Sequence, residues 1–175
     1  MIQGRGFVLK LATQADFMAV LQIAGANADQ LFWDRGEISL DDVFGTLLAS
    51  DPGTVSRLWC VWKDQKVVGF VALSHISAVH RSAEIAYLGI HPDHASPWLA
   101  SAIVDATLEF GFETLGLHRI NGKVFASHSS LLKLYKRKGF RQEGEQKDVV
   151  YRKGGFEGFV LFGMLEDEWK ARKCQ

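Results

Sequence analysis

Residues 117–144 read LHRINGKVFASHSSLLKLYKRKGFRQEG. The run parses as strand, loop, short helix, strand. Leu131, Leu134 and Tyr135 fall on one face at helical spacing. Lys133, Lys136, Arg137 and Lys138 gather at or near the C-terminal end of that helix, where the macrodipole favours cations. Gly139 stands where a left-handed residue closes a helix, and Phe140 restarts extended chain. Taken alone, Tyr135 reads as an amphipathic core-edge residue with a wet hydroxyl. Taken with the whole block, it reads as part of a site.

Working outward, residues 7–11 alternate like a strand. Thr13 and Asp16 form a helix N-cap pair ahead of a helix bearing Phe17, Val20 and Leu21. Residues 27–38 are irregular, with Leu31, Phe32 and Trp33 together. Ser39 caps a second helix carrying Val43, Leu47 and Leu48, which Asp51-Pro52-Gly53 ends. Strands at 56–62 and 67–75 flank the turn Lys63-Asp64-Gln65-Lys66 as a hairpin, and 82–90 is a third strand. Ser96-Pro97 starts a helix, serine as N-cap and proline at the first helical position. It runs to about Leu115, with Leu99, Ile103, Ala106 and Phe110 at core spacing, and Gly116 closes it. A strand at 119–126 precedes the Tyr135 helix. Strands at 140–146 and 159–165 and a terminal helical turn with Glu168 and Trp169 complete the chain. The order β, α, α, βββ, α, β, α, ββ implies an α+β fold, a central mixed sheet flanked by helices.

Composition narrows the function. The 175 residues suit a single domain, 1–175, with a proper core. Twenty basic and twenty acidic side chains give zero net charge, against a broad footprint for nucleic acid or an acidic membrane. Two cysteines, Cys60 and Cys174, make no disulfide framework, so a reducing cytoplasm is expected. The first residues carry no apolar segment of signal-peptide length, and no stretch approaches the roughly 20 apolar residues of a membrane span. His91-Pro92-Asp93-His94 and the pair His75 and His80 lack the third ligand and helical spacing of a zinc enzyme, so no metal is expected.

The Tyr135–Phe140 block, TyrLysArgLysGlyPhe, resembles the last βαβ unit of the GNAT superfamily of N-acyltransferases, and the element order is similar over essentially the whole chain. The segment 140–169, with GlyPhe at its start and Glu168-Trp169 near its end, looks most like the branch of ribosomal-protein N-terminal and spermidine acetyltransferases. The resemblance implies acetyl-CoA as co-substrate, no metal, and acetyl transfer to a primary amine by direct attack. The acceptor would be a small-molecule amine or a protein N-terminus, with no nucleic acid or membrane partner; a homodimer is compatible with it.

What the resemblance implies for single residues follows the needs of the chemistry. Tyr135 would stand by the leaving sulfur, hydrogen-bonding or protonating it. Glu84 would accept the proton of the amine, directly or through water. The strand with Leu88, Gly89 and Ile90 would pair with pantetheine amides, and His128 would donate to a pantetheine carbonyl. The phosphate-binding turn maps onto Ser96, Trp98, Leu99 and Ala100, in a degenerate form. Ala95 stands for a Gln or Arg, Pro97 removes an amide donor, and Trp98 replaces a glycine with bulk where a phosphate approaches. Phe32, Trp33 and Asp34 would line the acceptor pocket through charge and cation–π attraction. Two rivals remain open. One is a GNAT-fold binding or structural module without CoA chemistry. The other is an acyltransferase with a different donor.

Overall fold

The computed structural model describes residues 1–28, 55–152 and 154–173. Among these residues eight strands form one mixed sheet: β1 (Ile2–Gly4), β2 (Phe7–Leu11), β3 (Val55–Lys63), β4 (Lys66–Ser77), β5 (Ser82–Ile90), β6 (Arg119–Phe125), β7 (Arg141–Arg152) and β8 (Gly155–Leu165). Their spatial order is β1-β2-β3-β4-β5-β6-β8-β7. Every pairing is antiparallel except β5 with β6. Among the described residues four helices flank the sheet: α1 (Phe17–Ala26), α2 (Pro97–Glu109), α3 (Ser129–Arg137) and α4 (Glu166–Lys173). The expected mixed sheet with flanking helices is the observed fold.

Strand periodicity sorts the sheet residues into two cores. On β3, Leu58 and Cys60 join Phe70 and Ala72 of β4 beneath Val20, Ile23 and Ala24 of α1. The alternate residues Trp59, Val61, Val71 and Leu73 belong to the larger core, with Leu99 and Ile103 of α2, Leu134 and Tyr135 of α3, and Trp169 of α4.

Several boundaries differ from expectation. An additional strand, β1, pairs with β2 across Gly6, whose φ of +70° suits only glycine well. The hairpin turn is tighter than four residues: Lys63 pairs with Lys66, and Asp64 and Gln65 both take positive φ. Helix α2 stops at Glu109 and continues as a π-helical turn, Phe110–Thr114, before Gly116 at φ +61°. Phe140 is buried between elements, and β7 begins one residue later. The β7–β8 hairpin is longer at both inner ends than expected. A register shift between Gln146 and Val150, with Asp148 at φ 51°, lets the strands pair again beyond their interruption. The expected helix after Ser39 and the cluster at Phe32, Trp33 and Asp34 lie outside the described residues.

Candidate active site

The parallel pairing of β5 with β6 is short. It runs from Ser82 opposite Arg119 to Ile85 opposite Gly122, and no later residue of either strand is paired with the other. The strands part there, leaving residues 86–90 of β5 without a strand partner on that side among the described residues. A β-bulge marks the same place. On β4, Ala72 faces Tyr87 and its neighbour Leu73 faces Ile85, so Ala86 is the extra residue. Beyond the parting lies a cleft of about 850 Å³ between the end of β5, the start of α2 and one face of α3. Deeper, a cavity of about 30 Å³, room for about one water, lies between β5, β6 and α3.

Several expected site residues converge here. Leu88, Ile90, Ser96, Ala100 and His128 line the cleft. Tyr135 lines the inner cavity with His128 and Leu88. Its ring packs on Phe140 and Phe162, with centroids 4.6 and 5.4 Å away. Its edge also presses on Gly122: a Cβ added there would stand 2.2 Å from a ring carbon and 3.1 Å from the hydroxyl. Burial, then the charge of Glu84, pushes the Tyr135 hydroxyl well above the ordinary phenol range. Glu84 is the penultimate paired residue before the strands part, and its carboxylate lies 3.6 Å from Lys123 Nζ.

Other expected residues do not line the cleft or the inner cavity. Gly89 is buried in the sheet, where an added Cβ would meet the Phe70 ring at 2.6 Å. Leu99 is a core residue. Trp98 is half exposed, and its indole lies towards Gly6 rather than in the cleft. Its bulk therefore does not obstruct the cleft as expected. Pro97 and Ala100, three apart, share the face that lines it, and Trp98 sits about 100° around the helix. The shortage of amides is real. Pro97 has no N–H, Leu99 N–H donates to Ser96 Oγ at 3.1 Å, and Ala100 N–H to the Ser96 carbonyl at 3.1 Å.

The loop before α3 is held from below. Ala126 N–H donates to the Gly158 carbonyl and Ser127 N–H to Glu157, at 3.0 and 3.1 Å. This anchors His128, whose Nδ1 is buried and has no hydrogen-bond partner among the described residues. Burial, then the Arg152 charge, holds its imidazole below the usual histidine range, so it is neutral at pH 7. Asn27, after α1, closes the outer end of β5: its Nδ2 donates to the Ile90 carbonyl at 3.0 Å.

Sequence reading did not single out Tyr87 or Lys123, both of which line the inner cavity. Glu84 and Tyr87 are three residues apart, so simple alternation puts them on opposite faces. The bulge at Ala86 returns them to the same face, and the Glu84 charge adds to the burial that pushes Tyr87 up to about 12. The cysteine on the sheet is inert: burial and the nearby Asp16 push the Cys60 thiol up to about 12. His91 is turned to its own loop, its Nδ1 accepting from Asp93 N–H at 3.3 Å. Among the described residues no three His, Cys, Asp or Glu side chains gather as metal ligands.

Comparison with known proteins agrees with the fold. The profile of the acetyltransferase (GNAT) family matches residues 22–140. An uncharacterised N-acetyltransferase of Bacillus subtilis, YoaA, is 31% identical over 90 residues, 51% of this chain and 50% of that protein. The spermidine N(1)-acetyltransferase of Vibrio cholerae is 27% identical over 108 residues, 62% of each chain. The chain thus spans half to about three fifths of these relatives' lengths. The crystal structure of spermidine N-acetyltransferase from Vibrio cholerae in complex with CoA and spermine superposes with a TM-score of 0.81. It is 22% identical, covering 95% of this chain and 99% of that one.

Proposed function

The chain belongs to the GNAT family of acetyltransferases, and from that premise we propose that it moves an acetyl group from acetyl-CoA to a primary amine by direct attack. The observation that carries this reading is the cleft opened where β5 and β6 part, with Tyr135 on the small cavity that shares Leu88, His128 and Leu131 with it. Its volume suits a cofactor-sized ligand. The free side of β5 is extended backbone able to pair with the amides of pantetheine, and Leu88, Ile90 and Leu131 supply apolar wall. Acetyl-CoA, when bound, supplies an activated carbonyl and a thiolate leaving group.

In the proposed reaction the amine nitrogen bonds to the acetyl carbon and the carbon–sulfur bond breaks. Glu84, or a water it holds, takes the proton lost by the amine. The sulfur needs a proton or a hydrogen bond as charge develops. Tyr135 keeps its proton far more tightly than an ordinary thiol, whose pKa is about 8.5. Full proton transfer to sulfur is therefore uphill, and the hydroxyl's role is a hydrogen bond to the developing thiolate. His128, neutral and at the boundary of cleft and cavity, holds the pantetheine arm.

The acceptor proposed is a cationic amine, a polyamine or a protein N-terminus, met by Phe32, Trp33 and Asp34. The polyamine class is suggested by the spermidine acetyltransferases among the relatives. A cytoplasmic location belongs to the same reading. The spent amides at the start of α2 favour a second reading, a GNAT-fold module without CoA chemistry. Calorimetric titration with acetyl-CoA and desulfo-CoA separates the two. Saturable heat with both is expected. No heat and no thermal shift even at millimolar ligand would install the second reading.

A further inference from the structure

We propose that Lys133, Lys136 and Arg137 of α3 hold the phosphate groups of the acyl-CoA, in place of backbone amides at the start of α2, an assignment that rests on the acyl-CoA reading above. The three residues are spaced i, i+3, i+4 and so form one stripe on the helix. All three line the 850 Å³ cleft, which also takes in Ala95, Ser96 and Pro97 from the start of α2. None of the described residues lining the cleft is acidic. In a chain of zero net charge this is a local concentration of three cations on one wall of a cleft, where potential is focused.

Their lack of partners sets them apart from most other cations of the C-terminal half. Lys138, next in sequence, is buried and paired with Asp105, which also takes Arg172. Arg119, Arg141, Arg152, Lys170 and Lys173 each have a carboxylate. Among the described residues Lys133, Lys136 and Arg137 have no ion pair, and all three are exposed. A solvated helix end would spread such charges around the axis. Here they share the face that looks into the cleft, and the fourth cation of the run is turned away to a structural pair.

The backbone route is narrowed at the same place. Of the first-turn groups of α2, Pro97 lacks an N–H, Leu99 N–H is committed to Ser96 Oγ, and Ala100 N–H to the Ser96 carbonyl, which leaves the Trp98 N–H. A diphosphate with too few amides to meet it needs cations instead. Flexible side-chain charges differ from a preformed amide nest in being screened by salt.

The test is calorimetry with CoA and with pantetheine, which shares the arm but has no phosphate, at low and high salt. The proteins are wild type, the single variants Lys133→Gln, Lys136→Gln and Arg137→Gln, and the triple variant. Each single change should weaken CoA binding about three- to tenfold, between the worth of an exposed ion pair and that of a hydrogen bond to a charged group. The triple variant should lose on the order of a hundredfold or more, with a flatter salt dependence and unchanged pantetheine binding. Lys133→Arg should restore binding. Lys138→Gln, which breaks the Asp105 pair, should lower thermal stability without flattening the salt dependence. CoA binding by the triple variant within about twofold of wild type, with the same salt dependence, overturns the assignment and leaves the acyl-CoA reading intact. A wild-type protein that binds neither CoA nor pantetheine overturns both.

Discussion

Tyr135 is a core residue by packing and a site residue by position. Its ring is enclosed by Phe140, Phe162 and Gly122, while the residue also lines the inner cavity. Tyr135→Phe keeps the ring and removes the polar atom. The fold should lose at most about 1 kcal/mol, one net hydrogen bond. Turnover should fall on the order of ten- to a thousandfold, with CoA affinity nearly unchanged, because the interaction strengthens as charge develops on sulfur. Single-turnover kinetics beside calorimetry checks this, and an unchanged chemical rate removes the catalytic role. The raised pKa carries a second expectation. The tyrosine stays protonated through the range of an enzyme assay, so it should contribute no falling alkaline limb to kcat/KM below about pH 10.

At the scale of elements, the site depends on two close approaches. The first is α3 on β6, where Gly122 admits the tyrosine ring. Gly122→Ala should destabilise by about 1–3 kcal/mol through overpacking and depress turnover. In a Tyr135→Leu background the stability cost should shrink, since the ring that the new methyl meets is gone; urea unfolding of the four proteins measures it. The second is the start of α2 against the cleft. Because Trp98 leans towards Gly6 and away from the cleft, Trp98→Ala should leave CoA affinity within about twofold. A marked tightening in calorimetry would mean that the indole obstructs the phosphates after all.

For the whole molecule, the two-sided sheet buries protons that the unfolded chain would lose. The Cys60 thiol and the Tyr87 hydroxyl are both pushed up to about 12 by burial, with a nearby carboxylate adding to each. Above about pH 9 the unfolded chain releases the thiol proton while the fold retains it. The unfolded state then binds fewer protons, and stability must fall as pH rises towards 12. Each such group contributes a slope of up to about 1.4 kcal/mol per pH unit in its window. Chemical unfolding at pH 7, 9 and 10 should show this loss, and Cys60→Ala should flatten its first part. An equal slope in the variant would assign the loss to the tyrosines.

Local chemistry in the sequence determined the elements and their punctuation. Ser96-Pro97 is an N-cap whose Oγ accepts from Leu99 N–H, and Gly139 does take a left-handed φ of +83° after α3. The strand–helix–strand run around Tyr135 and the mixed sheet were legible for the same reason: period, caps and turns act within a few residues. The shape of the candidate site was not. The bulge at Ala86, which sets Tyr87 beside Glu84, arises from a mismatch in register with β4 and leaves no mark on alternation. Trp98 and Ala100 look equally available in the sequence, and only rotation about α2 sends one to the surface and the other to the cleft. Likewise Lys133, Lys136, Arg137 and Lys138 form one basic run, yet Asp105, 33 residues before Lys138, removes the last of them. Such partners are set by how separate elements pack, and no local pattern encodes which neighbour a side chain will meet.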